Sequence, residues 1–311
     1  MKALVTGGAG FIASHLADRL IESGHQVVVV DDLSKGRAEN LNPKATFHRL
    51  DIGDPALADV FAAERPEAVF HHAAHVDVTR SVADPMYDAS VNIMGSLNLL
   101  ECCRAHDVRK FVYASSGGAL YGEPVSVPAD EHHPVVPFSP YGVSKYVVEQ
   151  YLYFYHLVHG LDYTVLRYAN VYGPRQDPLG EAGVVAVFSV QLLKGDQPVI
   201  FGDGSKTRDY CYVADVVEAN LLALNDKSGG VYNLGRGIEV TDLELYETVR
   251  QAIGSKTRPV FEDFRPGEVV HSALDASKAE TELGWKWRTE LKDGIAKSVD
   301  YYRTTSERAQ T

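Results

Sequence analysis

The sequence predicts an α/β protein, a doubly wound parallel sheet with a smaller, interleaved C-terminal lobe. Two observations carry this prediction. Short apolar segments alternate with helical patterns through the first half, and a glycine-rich turn joins the first strand to the first helix. Such alternation is typical of parallel strands whose two faces are both covered by helices. The predicted strands span residues 3–6, 26–30, 68–71, 110–114 and 163–167.

The ends of these strands carry the candidate site residues. Ligands of open parallel sheets bind beyond the carboxyl ends of the strands. Gly7, Asp31, Ala73, Ser115 and Asn170 all follow or end predicted strands. We therefore expect distant parts of the chain to converge at one edge of the sheet.

The turn after the first strand has the pattern Gly8-x-Gly10-x-x-Ala13 and opens a helical segment. This pattern is typical of Rossmann-like dinucleotide sites, where glycine lets the backbone approach a pyrophosphate at a helix N-terminus. Asp31 ends the second strand, where an acid binds ribose hydroxyls and repels a 2′-phosphate. The sequence predicts NAD rather than NADP, although Lys35 and Arg37 lie nearby. A purely structural glycine turn is the alternative.

Tyr141 and Lys145 stand four residues apart at the start of a predicted helix, which Ser139 can cap and whose first turn suits Pro140. At helical pitch the two side chains share one face. A nearby cation lowers a tyrosine pKa from its free value of about 10, so the pair is a candidate general base for an alcohol. The alternative is a surface tyrosine and lysine.

Residues 1–173 are predicted to form the dinucleotide-binding domain and 174–311 mainly a substrate-facing lobe, in which a segment near 231–235 rejoins the sheet. The second part is punctuated by glycines and includes the capping box Thr241–Glu244 at the start of a helix. The lobe is expected to be interleaved with the first domain.

The composition limits the kinds of partner that the protein is expected to bind. A formal net charge of −12 over 311 residues argues against nucleic acid and anionic membrane surfaces. The three cysteines do not make a disulfide framework, and neither a signal peptide nor a membrane-spanning run is predicted. We expect a cytoplasmic protein. His71-His72-x-x-His75 has ligand-like spacing but follows a strand beside the predicted cofactor, so no metal is predicted.

The chain resembles the extended short-chain dehydrogenase/reductases, and within them most closely the UDP-galactose (UDP-glucose) 4-epimerases. The resemblance runs from Lys2 to about Tyr302. It rests on an ordered series of motifs: Thr6-Gly7-Gly8-Ala9-Gly10-Phe11-Ile12, Asp31-Asp32-Leu33-Ser34, Asp51-Ile52, Val91-Asn92, Tyr141-x-x-x-Lys145, Arg167-Tyr168-Ala169-Asn170, Arg208-Asp209-Tyr210 and Arg265-Pro266-Gly267-Glu268.

This resemblance implies reversible 4-epimerisation of UDP-galactose and UDP-glucose with tightly bound NAD. Tyr141 is expected to take the proton of the sugar 4-hydroxyl as hydride passes to NAD, and hydride then returns to the other face of the 4-ketose. Family members pair through the Tyr-Lys helix and the helix before it, so a homodimer is implied. A broad aromatic surface is expected from Tyr151, Leu152, Phe154 and Tyr155, some of which must also face the core.

The resemblance also implies residue roles. The catalytic group comprises Tyr141, Lys145, Ser116 and, as second choice, Ser115. Cofactor contacts are expected from Gly7, Gly10, Phe11, Ile12, Asp31, Asp32, Leu33, Ser34, Asp51, Ile52, His72, Ala73, Ala74, Asn92, Ser115, Tyr141, Lys145 and Tyr168. Substrate contacts are expected from Ser116, Tyr141, Asn170, Val185, Val199, Phe201, Arg208, Arg265, Glu268 and Ser272.

Two departures from relatives bear on the chemistry. Many relatives have a catalytic hydroxyl where this chain has Gly117, and Ser116 is taken as the substitute. The 4,6-dehydratases have an Asp-Glu pair where this chain has glycines, and without those carboxylates elimination lacks its acid and base.

Three further functions stay open at this point. A UDP-glucuronate 4-epimerase is disfavoured because Asp177, rather than a second arginine, follows Pro174-Arg175-Gln176. The resemblance implies that Ser272 borders the 2-position of the sugar, where a small side chain predicts room for an N-acetyl group and hence activity on UDP-N-acetylhexosamines. The alternative is that neighbouring loops close this space. A catalytically silent NAD-binding sensor is the alternative from another class, and the intact Tyr141 and Lys145 argue against it.

Overall fold

The computed structural model describes residues 1–179, 183–226, 229–265 and 268–308, with the backbone alone for 306–308. Its strands are β1 (Lys2–Thr6), β2 (Gln26–Asp31), β3 (Thr46–Arg49), β4 (Ala68–His71), β5 (Lys110–Ser116), β6 (Asp162–Tyr168), β7 (Asn170–Tyr172), β8 (Val199–Phe201), β9 (Thr207–Arg208), β10 (Tyr210–Tyr212), β11 (Val231–Leu234), β12 (Val240–Thr241) and β13 (Val260–Glu262).

The helices of the same residues are α1 (Phe11–Glu22), α2 (Leu57–Glu64), α3 (Val78–Ala83), α4 (Pro85–Ala89), α5 (Gly95–Ala105), α6 (Gly117–Leu120), α7 (Pro140–His159), α8 (Val184–Lys194), α9 (Val213–Ala223), α10 (Asp242–Ile253) and α11 (Leu291–Arg308). A 3₁₀ turn spans Ala38–Asn40, and π-helical segments span Ser90–Met94 and Ala279–Leu283.

Seven parallel strands form the central sheet of the described chain, in the order β11-β6-β5-β4-β1-β2-β3. Alternating side chains bury its two faces under different helices. One core cluster includes Leu16 of α1 and Val216 of α9, and the other includes Phe61 of α2, Leu99 of α5 and Leu152 of α7. The predicted α/β fold with a doubly wound sheet is confirmed.

Parts of the second half lie with this sheet. β11 pairs with β6 at the edge, and α9 packs against α1, where Glu218 accepts a hydrogen bond from Arg19 at 2.8 Å. β10 pairs with β7, and most of the rest forms a layer of α8, α10 and α11 with short two-stranded pairs, β8 with β13 and β9 with β12. No helix in the described ranges is long and apolar enough to cross a bilayer.

Candidate active site

The first turn of α7 lies against the segment that follows β5. Ser139 caps the helix, and its hydroxyl oxygen accepts the Gly142 amide N–H at 3.2 Å. A Cβ on Gly142 would collide with the backbone carbonyl oxygen of Ala119 in α6. Because a carbonyl of the main chain cannot rotate away as a side chain can, glycine is what allows α7 to begin this close to α6.

Two adjacent serines end β5, and their hydroxyls have different partners. The Ser116 side chain interacts with the Tyr141 phenol. Ser115 donates to Oε1 of Glu149 at 2.6 Å. Successive strand residues point to opposite faces, so only one of the two can stand beside Tyr141. The geometry favours Ser116 over Ser115 as the hydroxyl of the site.

Lys145 is buried behind Tyr141. Its ammonium donates to the Ala114 carbonyl at 2.8 Å and lies 5.0 Å from the ring centroid of Tyr113. It lies 5.8 Å from the ring centroid of Tyr141. Burial lowers the pKa of Lys145 to about 8, and the charges of Asp88 and Glu149 oppose that shift.

The pKa of Tyr141 differs from the sequence-based expectation. Burial raises it to about 12, although the hydrogen bond from Ser116 acts in the lowering direction. The expected lowering by Lys145 is not found, because the ammonium hydrogen-bonds to a carbonyl of β5 rather than to the phenol oxygen. Two groups on one helix face share a neighbourhood, but their distance and desolvation depend on what packs over them.

A charged pair connects α7 to the sheet below this site. Arg167 of β6 donates to both carboxylate oxygens of Glu149, at 3.0 and 2.6 Å. It also donates to the Tyr121 hydroxyl at 2.8 Å. Bidentate pairing fixes both position and orientation. Since Glu149 also binds Ser115, the pair joins the end of β5 to the helix that carries Tyr141.

Gly117 occupies the position where many relatives have a hydroxyl residue. A Cβ there would collide with the Leu274 side chain, which is itself buried. The space that a serine or threonine needs is thus occupied by leucine from the second half of the chain. At the neighbouring Gly118 a Cβ would have ordinary contacts, 3.7 Å from Oδ1 of Asn170.

The glycine turn after β1 is shaped for close backbone approach. Gly7 has a φ of +69°, and a Cβ on it would lie 2.7 Å from the Ala73 amide nitrogen. Gly10 is the N-cap of α1, and no side chain caps the first turn of that helix. A helix N-terminus with free amides is an anion site. These features fit a dinucleotide pyrophosphate.

Asp31 lies at the end of β2, next to this turn. Its carboxylate accepts the Ala9 amide at 3.0 Å and the Leu33 amide at 2.8 Å, while burial raises its pKa. The carboxylate is thereby oriented from two sides. The other residues predicted to contact the cofactor lie at the same edge, with Phe11 and Ile12 opening α1, Asp32 and Ser34 after β2, Asp51 and Ile52 after β3, and Ala73 and Ala74 after β4.

Two predicted cofactor residues are engaged with the protein itself. His72 Nε2 lies 3.2 Å from the Tyr168 hydroxyl, and burial lowers the His72 pKa to about 3, so the ring is neutral. Asn92 exchanges two hydrogen bonds with the backbone of His75, at 2.8 and 2.9 Å, and donates to Asp88 at 2.9 Å. The side-chain amide of Asn92 thus connects the His75 backbone to Asp88.

The predicted substrate residues lie on the second layer or border it. Arg265 stacks on the Phe201 ring at 3.7 Å and lies 3.9 Å from Glu268, which also pairs with Lys206. Arg208 donates to the Thr207 carbonyl at 2.7 Å. Pro266 and Gly267 of the arginine motif lie outside the described residues. The others are placed as follows: Val199 in β8, buried Val185 in α8, Asn170 at the start of β7, and buried Ser272 two residues before Leu274.

Residues 3–235 match the model of the NAD dependent epimerase/dehydratase family. The chain belongs to this family. Among curated members, a UDP-glucose 4-epimerase of Mycolicibacterium smegmatis is 47% identical over 99% of this chain and 100% of its own. A putative UDP-glucose 4-epimerase of Methanocaldococcus jannaschii is 47% identical over 97% of this chain and 99% of its own.

Solved structures of the epimerase/dehydratase family superpose over nearly the whole chain. A UDP-glucose 4-epimerase of Thermotoga maritima, solved with UDP-glucose, has a TM-score of 0.97 at 49% identity, covering 98% of this chain and 100% of its own. The Thermus thermophilus UDP-glucose 4-epimerase, solved with NAD, has a TM-score of 0.93 at 44% identity, covering 97% and 99%. The predicted family is confirmed.

Sequence reasoning missed three features of this family member's site. Asp88 and Glu149 were not singled out, and Gly142 was not recognised as a contact with α6. The signal for Glu149 was present, because it lies four residues after Lys145 and so on the same helix face. Nothing in the sequence marks Asp88, which reaches α7 only through tertiary packing.

Proposed function

We propose that this chain is an NAD-dependent UDP-glucose 4-epimerase, which interconverts UDP-galactose and UDP-glucose. The observation that carries the proposal is the interaction of Tyr141 with Ser116 at the carboxyl end of the sheet. The glycine turn and Asp31 lie at that same edge. The full-length relatives with this activity support it.

Bound NAD would supply the acceptor and donor of the hydride at the sugar C4. The chain's own part is proton transfer and positioning. Tyr141 takes the 4-hydroxyl proton and gives it back to the 4-keto oxygen, and Ser116 hydrogen-bonds to the same oxygen. Lys145 is assigned to the nicotinamide ribose, since its ammonium lies behind the phenol and hydrogen-bonds to the Ala114 carbonyl rather than to the phenol oxygen. Gly7 and Gly10 allow the pyrophosphate to approach α1, and Asp31 meets the adenosine ribose.

The nucleotide grip is assigned to residues of the second layer. Guanidinium groups match phosphate oxygens bidentately, so Arg208 and Arg265 bind the diphosphate. Phe201 and Val199 border the uracil, and Glu268 meets the ribose. Asn170 and Ser272 border the sugar. We regard residues 174–311 mainly as this substrate lobe and 1–173 as the NAD-binding domain, with β11 and α9 crossing over.

The assembly is proposed to be a homodimer that pairs through α5 and α7. The exposed face of α7 carries large apolar side chains, namely Val143, Tyr151, Tyr153, Phe154, Leu157 and Val158. Leu152 and Tyr155, which the sequence analysis also assigned to this surface, are buried in the core. Burying an apolar face of this kind favours association. Light scattering at micromolar concentration tests it, and a monomer mass contradicts it.

The deciding experiment is conversion without added cofactor. Purified protein is incubated with UDP-galactose, and UDP-glucose is the expected product; UDP-N-acetylgalactosamine is offered in parallel, because Ser272 predicts its acceptance. Tyr141→Phe, prepared identically, is the control. Protein that carries NAD yet converts neither sugar would support the silent sensor.

Mass spectrometry of the denatured protein should find NAD(H) and no 2′-phosphate, since a 2′-phosphate would contradict the role of Asp31.

A further inference from the structure

A glutamate from the first half of the chain binds the main chain of a segment that is assigned to the nucleotide sugar. We call residues 268–272 the substrate segment, because its first and last residues are both proposed substrate contacts. Oε2 of Glu123 accepts the Val270 amide at 2.7 Å, and Oε1 accepts the His271 amide at 3.2 Å. A carboxylate that binds two N–H groups fixes orientation as well as distance.

Glu123 itself stands on a turn that is packed against another stretch of backbone. Ser116 ends β5, α6 comes next, and Gly122 then turns the chain with a φ of +60°. A Cβ on Gly122 would collide with the Val136 carbonyl oxygen, and the Val136 amide donates to the Leu120 carbonyl at 2.9 Å. The carboxylate of Glu123 therefore has a fixed base, seven residues after the serine that stands beside the candidate base.

Backbone hydrogen bonds also hold this part of the second layer. The Thr207 amide of β9 donates to the Val270 carbonyl at 3.0 Å. Just beyond the substrate segment, Ala129 donates to the Ala273 carbonyl at 2.9 Å and accepts the Asp275 amide at 2.8 Å. Because these bonds involve main-chain atoms alone, a substitution at position 123 can remove the carboxylate contact and leave them in place.

Two ion pairs bind side chains of the same segment. Buried Lys206 pairs with Glu268, and Nδ1 of His271 lies 2.9 Å from Oε1 of Glu239. Both partners come from the second half of the chain, as does the segment. They hold its side chains within the second layer, whereas Glu123 holds its main chain to the turn that follows the catalytic end of β5.

We propose that Glu123 is a positioning residue for the nucleotide sugar, which fastens the substrate segment to the turn after Ser116. It acts through the main chain of the segment and not by contact with the reacting sugar. The inference rests on the proposed function, because it requires Glu268 and Ser272 to meet the ribose and the sugar. A segment that is fixed before binding does not have to be ordered when the nucleotide sugar arrives, so its affinity is higher.

The test compares Glu123→Gln and Glu123→Ala with Asp130→Ala, all in the full-length protein. Glutamine keeps the shape of glutamate, but it has one acceptor oxygen and turns an NH₂ group towards the second amide. Asp130 is the matched control, an exposed carboxylate of the same loop. Its Oδ1 accepts two successive main-chain amides outside the substrate segment, those of His132 and His133, both at 3.0 Å.

The KM for UDP-galactose should rise about tenfold in Glu123→Ala, the factor expected for one hydrogen bond to a charged group, and less in Glu123→Gln. Lost binding without a change at the reacting atoms leaves kcat within about twofold of wild type. Amide hydrogen exchange, measured without ligand on peptides that cover 268–274, should be faster in both variants. Asp130→Ala should change neither KM nor this exchange.

An unchanged KM in a variant whose substrate segment exchanges faster would overturn the proposal, and so would a raised KM without faster exchange. Equal effects in Asp130→Ala would overturn it as well, since they would indicate a general loss of loop stability. If Glu123→Ala does not fold, Glu123→Gln decides by the same two measurements.

Wild type without epimerase activity would contradict the proposed function and not the role of Glu123. That role is then judged by the dissociation constant for UDP from calorimetry, together with the exchange rates. The constant should rise in Glu123→Ala and stay at the wild-type value in Asp130→Ala. An unchanged constant in Glu123→Ala would overturn the assignment.

Discussion

The two halves of the candidate site hold their side chains in different ways. Around the glycine turn, Asp31 is fixed by two backbone amides and Gly7 packs directly on the backbone at Ala73. In the second layer, Arg265 is half exposed and its partners are the Phe201 ring and Glu268. The first arrangement is rigid, because the main chain supplies the contacts. The second can exchange side-chain partners without moving the fold.

This difference matches what an epimerase of this kind requires. A cofactor that is regenerated in every cycle can be held by fixed contacts. A sugar that must present both faces cannot, so the nucleotide has to be gripped by groups that re-pair on binding. We expect substitutions around the glycine turn to reduce the retention of NAD. Substitutions in the second layer are expected to raise the KM for the nucleotide sugar.

The largest effect is expected at the junction of the two regions. Tyr141→Phe should lower kcat about 10²- to 10⁴-fold, because it removes only the proton acceptor. The dissociation constant for UDP should stay near the wild-type value by calorimetry. Tyr151→Phe, on the exposed part of α7, is the matched control and should retain turnover. If Tyr141→Phe kept turnover within a few-fold, Tyr141 would not be the base.

Gly7→Ala should disrupt the glycine turn that is expected to bind the cofactor. The left-handed backbone costs about 1–2 kcal/mol for any other residue, before the contact with Ala73 is counted. The expected result is loss of bound NAD, measured as cofactor per protomer after gel filtration. Gly24→Ala separates the two causes, since Gly24 has a φ of +83° but open space around its Cβ. Equal NAD retention in both variants would show that the close approach at Ala73 is unimportant.

Arg265→Ala should weaken nucleotide-sugar binding by the second layer and leave cofactor binding unchanged. Charged hydrogen bonds to phosphate are worth enough that KM for UDP-galactose should rise about 10- to 100-fold. NAD content should not change. Arg303→Ala removes a comparable exposed pair, 3.1 Å from Asp300 on α11, and should leave KM unaltered. A lowered NAD content in Arg265→Ala would show that the two regions are not separable.

The smallest effect is expected where the halves meet, at Gly117 and Leu274. Gly117→Ala should lower the free energy of unfolding by about 1–3 kcal/mol through overpacking, measured by urea denaturation. Gly118→Ala is the control with ordinary contacts. The cost of Gly117→Ala should shrink in a Leu274→Ala background. An equal cost in both backgrounds would mean that Leu274 is not what excludes a side chain.

Much of the first half of the site was predictable, because its signals are local. Short stretches of sequence are enough to predict the order of strands and helices, the glycine turn and the spacing of Tyr141 and Lys145. The second half was predicted through the resemblance alone. Its arginines lie in loops and short strands without a periodic pattern, so only the folded chain shows that Arg265 stacks on Phe201.

The sequence by itself determined the fold class, the family and the identity of the candidate base, since hydrophobic period and motif spacing are properties of the chain. Tertiary structure alone decided which serine stands beside Tyr141, why Gly117 bears no side chain, and where the Asp88 carboxylate meets α7. Those outcomes depend on burial and on distances between segments far apart in sequence. Desolvation and Coulomb energies follow those distances, and no local pattern encodes them.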